Sequence, residues 1–293
     1  MEMRPSWFER WSAPARGSCQ ICGASTGGSP WQAYGVTNDL RRWARRICDA
    51  CQVSIPWITA IGCRDCGRAV RCTDCVRRPL AAHGLAANRS VVQYDARMKE
   101  WLSRYKFKGE IELARLMAGM MAERYVELFQ HTEMRKRSSQ GSRCSERLGN
   151  WLGMRRNALY LYPDVITYVP SSEERLAERG FNQAAVIAEL LGQAWQKRVI
   201  NTLLRASGDA RQSHQTRSGR ELSMRGMYSV DRNAMRHLDR LFPNTDAGGY
   251  SMLLVDDVYT TGNTLRACAL ELKAAFVELD VQVSIYAYCW ARA

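Results

Sequence analysis

One short segment constrains the fold of this chain more than any other: an apolar run that ends in two adjacent aspartates. Residues 252–255 are wholly apolar, as is typical of a central parallel strand that is covered on both faces. Asp256 and Asp257 follow, then a turn rich in Thr and Gly, and then a helical pattern that begins at Thr264. Open α/β sheets bind their ligands at the carboxyl ends of the strands. The segment therefore predicts an α/β fold with a binding site where this strand ends.

Strand and helix patterns alternate through the rest of the chain after residue 88. Helical patterns cover residues 98–105, 111–121, 182–195 and 264–279, and strand patterns cover residues 90–94, 165–169, 199–204 and 281–288. Strands that alternate with helices favour a parallel sheet with helices on both of its faces. The whole region therefore agrees with the fold that the central segment predicts.

The residues after the two aspartates are suited to binding a phosphorylated ribose. Backbone N–H groups, hydroxyls and the positive end of a helix together bind a phosphate, and carboxylates accept hydrogen bonds from vicinal ribose hydroxyls. Each half alone is a weak signal, because strands ending in two aspartates also occur in Mg²⁺-dependent phosphatases and ATPases. The candidate phosphate-binding residues are Tyr259, Thr260, Thr261, Gly262, Asn263 and Thr264.

Together, the two halves resemble the signature of type I phosphoribosyltransferases, in which an apolar strand and two acids precede Thr-Gly-x-Thr. The resemblance implies a type I phosphoribosyltransferase-like parallel sheet and a site for phosphoribosyl pyrophosphate (PRPP). Asp256 and Asp257 would hold the ribose hydroxyls, and residues 260–264 would surround the 5′-phosphate. Mg²⁺ would bridge ribose and pyrophosphate oxygens and take most of its ligands from PRPP and water.

A second junction between a strand and a helix, residues 169–183, is the candidate loop for the pyrophosphate. Arg175 and Arg179 lie in it, and a guanidinium group can bind phosphate oxygens through two hydrogen bonds at once. The alternative is that both arginines pair with neighbouring glutamates on a solvated helical turn. By the same resemblance, the polar stretch 207–227 corresponds to a flexible loop over PRPP, where His214 is either an acid–base group or a solvated histidine. The catalytic residues stay unknown.

Eight of the 11 cysteines lie within the first 80 residues, as four Cys-x-x-Cys pairs. Two thiolates at this spacing fill two corners of a tetrahedral Zn²⁺ site, so four pairs predict two structural Cys₄ sites. We expect the first two pairs to share one ion and the last two pairs to share the other; an iron–sulfur cluster is the alternative. The predicted ligands are Cys19, Cys22, Cys48, Cys51, Cys63, Cys66, Cys72 and Cys75.

Composition divides the chain into a cysteine-rich zinc-finger module, residues 1–80, and a phosphoribosyltransferase-like domain, residues 88–293. Within the second, residues 131–157 are polar and rich in Arg and Ser, which indicates a basic mobile insertion. No stretch approaches the roughly 18 apolar residues of a membrane span, and the amino-terminal residues lack the apolar core of a signal peptide. We therefore expect no membrane insertion and a cytoplasmic protein, whose reducing surroundings favour metal-binding cysteines over disulfides.

Charge and aromatic residues point to a nucleic-acid partner. The formal net charge is +13 at pH 7, which favours polyanions. In two short runs, arginines or lysines that can contact phosphates alternate with rings that can stack on unpaired bases. The alternative for the first run is a solvated Arg face whose Trp covers the metal core. The candidate contacts to single-stranded DNA are Arg41, Arg42, Trp43, Arg45, Arg46, Lys106, Phe107 and Lys108.

The order of these features resembles the ComF family of competence proteins. Paired cysteines come first, then Tyr-Lys-Phe-Lys-Gly at residues 105–109, then Arg-Gly-Phe-Asn-Gln at residues 179–183, and then the aspartates and the Thr-Gly turn. The resemblance covers nearly the whole chain except residues 131–157. It implies a cytosolic role in natural transformation, in which incoming single-stranded DNA is handled together with a helicase-like competence partner.

Two classes of function remain open at this point. In the first, the protein is an accessory of DNA uptake whose PRPP site is regulatory or of unknown chemistry. In the second, it is an active phosphoribosyltransferase that moves 5-phosphoribosyl from PRPP to an unidentified acceptor and releases pyrophosphate. The sequence shows no evident base-recognition loop that would name the acceptor. We expect the first class.

Overall fold

The computed structural model describes residues 18–26, 46–130, 132, 162–206, 226–241 and 249–293. The helices are α1 (Asp49–Val53), α2 (Thr73–Arg77), α3 (Ala96–Phe107), α4 (Glu112–Phe129), α5 (Glu173–Arg179), α6 (Gln183–Trp195), α7 (Arg232–Leu241) and α8 (Asn263–Glu278). The strands are β1 (Leu85–Gln93), β2 (Val165–Tyr168), β3 (Arg198–Val199), β4 (Leu203–Arg205), β5 (Tyr228–Val230), β6 (Tyr250–Tyr259) and β7 (Val283–Arg292).

The centre of the fold is a five-stranded sheet with the order β1-β7-β6-β2-β3. Every neighbouring pair in it is parallel. Strand β6 lies in the middle, and residues 252–255 are fully buried, as the apolar run predicts. The strand is longer than the sequence indicates, because its pairing with β7 continues to Tyr259 and Arg292. Asp256 and Asp257 therefore lie within the strand, and their side chains point to opposite faces of the sheet.

Helices cover the sheet on both faces, which confirms the predicted α/β fold. On the first face, α3, α4 and α6 pack with Leu253, Tyr286 and Tyr288 around one hydrophobic core. On the second face, α7 and α8 pack with Leu254 and Ile285 around another core. Side chains of opposite parity along the same strands thus supply two separate cores, as expected of a doubly covered sheet.

The predicted strand over residues 199–204 is wrong in one respect, because two short strands occupy this stretch. β3 ends at Val199 beside β2, whereas β4 pairs antiparallel with β5 in a separate two-stranded sheet. Between them the Thr202 hydroxyl lies 2.7 Å from the Thr167 hydroxyl. This contact holds residue 202 beside β2 at the point where the chain leaves the central sheet. Residues 199–204 therefore do not form one continuous strand.

The cysteine-rich segment runs along the free edge of the sheet at β1. Ile58 N–H donates to the Val91 carbonyl at 2.9 Å, and Gln93 N–H donates to the Pro56 carbonyl at 2.9 Å. These bonds cover part of an edge strand that would otherwise expose unpaired backbone groups. None of the helices in the described ranges combines the length and apolarity that a membrane crossing requires.

Candidate functional site

Two adjacent carboxylates near the end of β6 form the centre of the candidate site. The Asp257 carboxylate contacts the Lys106 ammonium, at the end of α3, at 2.5 Å. The Asp257 N–H donates to the Asp256 carboxyl at 2.9 Å. Burial and the neighbouring Asp257 charge raise the pKa of Asp256 to about 7, although Lys106 and Arg175 oppose this shift. One carboxylate is thus ion-paired, and the other can take up a proton near neutral pH.

The turn after β6, residues 260–264, is called the phosphate loop below. Thr260 and Thr261 are exposed, whereas Asn263 and Thr264 are half-buried in the first turn of α8. Gly262 precedes this helix and has no side chain that could cap it. The first backbone N–H groups of α8 therefore have the arrangement that binds an anion at a helix amino terminus.

Gly262 is required by both its backbone angle and its surroundings. Its φ is +76°, a region that residues with a Cβ atom rarely adopt. A Cβ atom there would overlap the Tyr259 hydroxyl and lie 2.6 Å from Tyr259 Cζ. The Tyr259 ring is thus packed directly under the phosphate loop and fixes its shape.

The second loop carries Arg175 and Arg179 on the short helix α5. Arg175 is exposed and close enough to Asp256 for its charge to lower that carboxyl's pKa. Arg179 donates to the Gln183 side-chain oxygen at 3.1 Å, and its guanidinium lies 4.8 Å from the centroid of the Phe107 ring. Its Nε is 3.9 Å from Glu178, at the outer limit of an ion pair. Arg179 therefore contacts Gln183 and Phe107 more closely than it contacts Glu178, so it is not simply paired with a neighbouring glutamate on a solvated turn.

The motif at residues 179–183 holds α5 against the rest of the site. Gly180 ends α5 with a φ of +76°, and Asn182 begins α6 by accepting from Ala184 N–H at 2.9 Å. Asn182 also donates to the Val169 carbonyl at 3.0 Å. Phe181 packs on Tyr105, with ring centroids 5.3 Å apart. Each side chain in this motif therefore has a defined partner.

The first cysteine cluster consists of Cys19, Cys22, Cys48 and Cys51, whose sulfur atoms all lie within 4.8 Å of one another. Cys19 is buried, Cys22 is exposed and the other two are half-buried. The Arg104 guanidinium, on α3, donates to the Gln20 carbonyl at 3.0 Å and to the Ile21 carbonyl at 2.9 Å. The cluster is therefore tied to the helix that carries Lys106.

The second cysteine cluster consists of Cys63, Cys66, Cys72 and Cys75. The sulfur atoms of three of them lie within 4.8 Å of one another, and Cys72 joins them through interactions of its thiol with Cys66 and Cys75. All four are buried. The two clusters thus combine the pairs in chain order, as the sequence analysis expects, and each can hold a metal ion.

Two buried arginines beside the second cluster indicate whether its surroundings suit a metal ion. Arg89 is 4% exposed and donates to the Arg64 carbonyl at 2.9 Å, and Arg292 is 9% exposed and donates to the Cys66 carbonyl at 3.1 Å. Within the described residues, neither guanidinium has a carboxylate at ion-pair distance. Four thiolates around a divalent ion carry a net charge of about −2, which two guanidinium groups balance. The surroundings therefore fit a tetrahedral ion such as Zn²⁺.

Comparison with known proteins identifies the family of the chain. The chain is 30% identical to competence protein ComFC of Bacillus subtilis (strain 168), over 79% of this chain and 81% of that protein. The chain belongs to the ComFC family. It is also 23% identical to competence protein ComFC of Streptococcus pneumoniae (strain ATCC BAA-255 / R6), over 75% of this chain and 78% of that protein. No protein-family model matches the chain.

In this ComFC-family structure, two of the candidate DNA contacts, Lys106 and Phe107, lie beside the carboxylates and Arg179. Lys106 pairs with Asp257, and the Phe107 ring, which is 59% exposed, lies under Arg179. Lys108 is exposed just after α3. The local sequence indicates that these side chains lie together, because a helix that ends in alternating basic and aromatic residues presents both kinds at that end.

Sequence reasoning missed the two arginines beneath the phosphate loop of this ComFC-family protein. Arg266 is 5% exposed and Arg292 is 9% exposed. Nothing in their local sequence distinguishes them from surface arginines. Buried arginines are rare unless they have partners, so only the packing shows that they belong to the site.

Several predicted residues lie outside the described residues or at their border. Arg41, Arg42, Trp43 and Arg45 lie outside them, as do His214 and nearly all of the proposed insertion at 131–157. Arg46 is described and half-buried, and its carbonyl accepts from Gln20 N–H at 2.8 Å beside the first cysteine cluster.

Proposed function

We propose that this ComFC-family protein is a competence-associated protein that binds Mg²⁺-PRPP at the end of β6 and holds Zn²⁺ in both cysteine clusters. The observation that carries the PRPP site is the position of the phosphate loop and the two carboxylates on one strand end, with Arg175 close to Asp256. The competence association rests on the names of the relatives from B. subtilis and S. pneumoniae.

Each part of the site has a role in this proposal. The carboxylates of Asp256 and Asp257 accept hydrogen bonds from the ribose hydroxyls. The backbone N–H groups and hydroxyls of the phosphate loop bind the 5′-phosphate. Arg175 and Arg179 bind the pyrophosphate, whose charge Mg²⁺ partly neutralises when it is bound.

Lys106 has a role that follows from its ion pair with Asp257. The ion pair holds the Asp257 carboxylate near the end of β6, where its oxygens can accept hydrogen bonds from a ligand. Because two adjacent carboxylates repel each other, this pairing also lowers the electrostatic cost of having both at one site. The positive charge contributes further to attraction of the anionic ligand.

Titration of the purified protein with Mg²⁺-PRPP tests the proposal. Asp256→Asn and Thr261→Val are each expected to weaken binding by about 2 kcal/mol, roughly 30-fold, because each loses a contact to a charged or hydroxylated ligand. Asp280→Asn is the matched control, since it makes the same change beyond the far end of α8, at a position whose positive φ suits Asn. Equal affinity in all four proteins, or no binding by the wild type, would refute the site.

A second candidate function is phosphoribosyl transfer, in which an acceptor forms a bond to ribose C1 and pyrophosphate leaves. The exposed ring of Phe107 beneath Arg179 favours it, because a flat acceptor could stack at the rim of the site. Release of pyrophosphate from Mg²⁺-PRPP in the presence of candidate bases or single-stranded DNA distinguishes transfer from simple binding.

We further propose that the protein handles incoming single-stranded DNA with a helicase-like competence partner in the cytosol. The formal charge of +13 supports this, as does the basic run that contains Trp43. Phosphate contacts would make binding fall steeply with rising salt, and stacking on Trp43 would favour single strands by about 1–3 kcal/mol per base. Binding measured across a salt series is expected to lose its preference for single strands in Trp43→Ala, whereas Arg42→Glu with Arg46→Glu reduces the salt slope. Equal binding of duplex and single strands, unchanged in Trp43→Ala, would exclude stacking.

A further inference from the structure

Arg266 joins the phosphate loop to the second cysteine cluster. It lies near the start of α8 and is 5% exposed. Its guanidinium donates to the Thr261 carbonyl at 2.7 Å and to the Arg78 carbonyl at 3.3 Å. Arg78 directly follows α2, which carries Cys75. A single buried side chain therefore connects the backbone of the loop with the backbone beside a metal ligand.

Arg292 makes a second, separate connection between the same two regions. It donates to the Cys66 carbonyl at 3.1 Å, and its guanidinium lies 4.5 Å from the centroid of the Tyr259 ring. The Tyr259 ring in turn packs under Gly262, where a Cβ atom would lie 2.6 Å from Tyr259 Cζ. The path from Cys66 to the loop thus consists of packed groups without a gap.

A metal ion in the second cluster would fix the cluster end of each connection. Cys66 and Cys75 are ligands of the same site, so their backbones become rigid when the ion binds. The intervening segment has little structure of its own, since α2 has five residues and so short a helix is not stable alone. A loop that is already held in its binding conformation loses less entropy on binding, which raises its affinity for the ligand.

In the part of the chain that the structure describes, the first cysteine cluster has different connections. Its described polar contact to the rest of the protein runs through Arg104 to α3, and within the described residues no hydrogen bond joins it to the phosphate loop. The two clusters have the same chemistry but different neighbours: the contacts of the first lead to the helix that carries Lys106, whereas those of the second lead to the phosphate loop itself.

We propose that Arg266 and Arg292 are positioning residues that couple the second cysteine cluster to the phosphate loop. Metal binding at Cys63, Cys66, Cys72 and Cys75 raises the affinity of the loop for Mg²⁺-PRPP. Because coupling between two binding sites is reciprocal, Mg²⁺-PRPP strengthens metal binding by the same factor. This inference rests on the proposed function, since the ligand of the loop is taken to be PRPP.

The reciprocal effect gives a readout that does not depend on catalytic activity. Zinc-loaded Cys22→Ser protein, in which the first cluster is disrupted, reports mainly on the second site. The equilibrium transfer of its zinc to a chromogenic chelator is measured with and without saturating Mg²⁺-PRPP. We expect the ligand to lower the fraction transferred, which corresponds to an affinity change of about 5-fold or more. Thr261→Val, added to the same protein, controls for chelation of zinc by free PRPP, because the loop then binds the ligand weakly.

Variants of the two arginines decide whether they carry the coupling. Arg266→Met and Arg292→Met are made separately, and each variant is expected still to bind zinc. In each, we expect Mg²⁺-PRPP to change the fraction of zinc transferred less than it does when both arginines are present. Arg89→Met is the matched control, since Arg89 is equally buried beside the second cluster but donates to Leu128 in α4 at 3.0 Å and leads away from the loop. Arg89→Met is expected to weaken zinc binding, because one of the charges that balance the thiolates is lost, but to retain the full effect of the ligand on zinc transfer.

The possible outcomes separate the coupling from the proposed function. Cys22→Ser protein that binds Mg²⁺-PRPP but shows no ligand effect on zinc transfer overturns the coupling and leaves the PRPP site standing. An effect of wild-type size in both arginine variants also overturns it. Failure of the wild type to bind Mg²⁺-PRPP in a direct titration overturns the proposed function, and the coupling with it.

Discussion

The two cysteine clusters use the same motif in different surroundings. The first is partly exposed and packs with the core that contains α3 and α4, whereas the second is buried in the core that contains α8. Arg89 and Arg292 lie beside the second cluster, and Arg292 also contacts Tyr259 beneath the phosphate loop. The comparison teaches that Cys-x-x-Cys spacing supplies the ligands for a metal ion, while the neighbours determine what a bound ion can stabilise.

The largest expected difference between the clusters is in stability. Cys66 is fully buried, so Cys66→Ser removes a metal ligand and leaves a hydroxyl in the core. We expect the free energy of unfolding of the zinc-loaded protein to fall by more than about 4 kcal/mol. Cys22→Ser, at an exposed ligand of the first cluster, is expected to cost less. Chemical denaturation, with zinc content determined by elemental analysis, measures both.

Cys268→Ser is the control for this prediction, because Cys268 is buried in the same core as the second cluster but is not one of its ligands. It is expected to have a smaller effect than Cys66→Ser and to leave two zinc ions per chain. Equal losses from Cys22→Ser and Cys66→Ser would remove the difference between the clusters. Fewer than one zinc per chain, or an iron chromophore, would exclude the proposed metal.

A matched pair of glycines sharpens the comparison with a smaller effect. Gly23 follows Cys22 with a φ of +76°, and Gly67 follows Cys66 with a φ of +74°. Alanine at either position is strained by about 1–2 kcal/mol. At Gly67 a Cβ atom would also lie 2.9 Å from the Asn88 carbonyl oxygen, whereas at Gly23 it would meet nothing within 4 Å. We therefore expect Gly67→Ala to lower the free energy of unfolding by about 3 kcal/mol and Gly23→Ala by about half as much.

Thermal or chemical unfolding of both glycine variants in the zinc-loaded state checks this. The two substitutions share the change in side chain and the backbone angle, so their difference reports the packing around each cluster. Equal losses would mean that Asn88 and its strand shift to accept the added methyl group.

The last comparison concerns the two aspartates, which face opposite cores and make the stability depend on pH. The pKa of Asp256 is raised, mainly by burial, to about 7, against about 3.9 in an unfolded chain. Between these values the folded protein retains a proton that the unfolded chain releases, so this group makes stability fall as the pH rises from about 4 to about 7. Asp256→Asn removes that loss and is expected to raise the melting temperature at pH 8 but to change it little at pH 4.

Asp257→Asn is the companion measurement for the other face. It leaves the Lys106 ammonium without the carboxylate that it contacts in the folded protein. A partly buried charge without a partner is unfavourable, so we expect the melting temperature at pH 8 to fall. A fall in both variants at pH 8 would contradict the assignment of the raised pKa to Asp256.

The sequence by itself determined the features that depend on neighbouring residues. The apolar run before Asp256 predicted a buried central strand, and the turn around Gly262 predicted the start of a helix. The four Cys-x-x-Cys pairs predicted two sites for metal ions. Within the strand, the turn and each single Cys-x-x-Cys pair, the residues that act together are only a few positions apart, so backbone geometry brings them together whatever the rest of the fold is.

Only the tertiary structure decided which of these features lie beside one another. Arg266 contacts a carbonyl 188 positions away, and Arg292 contacts one 226 positions away. Lys106 reaches Asp257 because the sheet order β1-β7-β6-β2-β3 puts β6 at the centre and the helices of each face over it. Contacts at such separations depend on strand order and on the packing of two cores. No local pattern encodes either, which is why the ion pair of Lys106 with Asp257 and the two buried arginines are visible only in the folded protein.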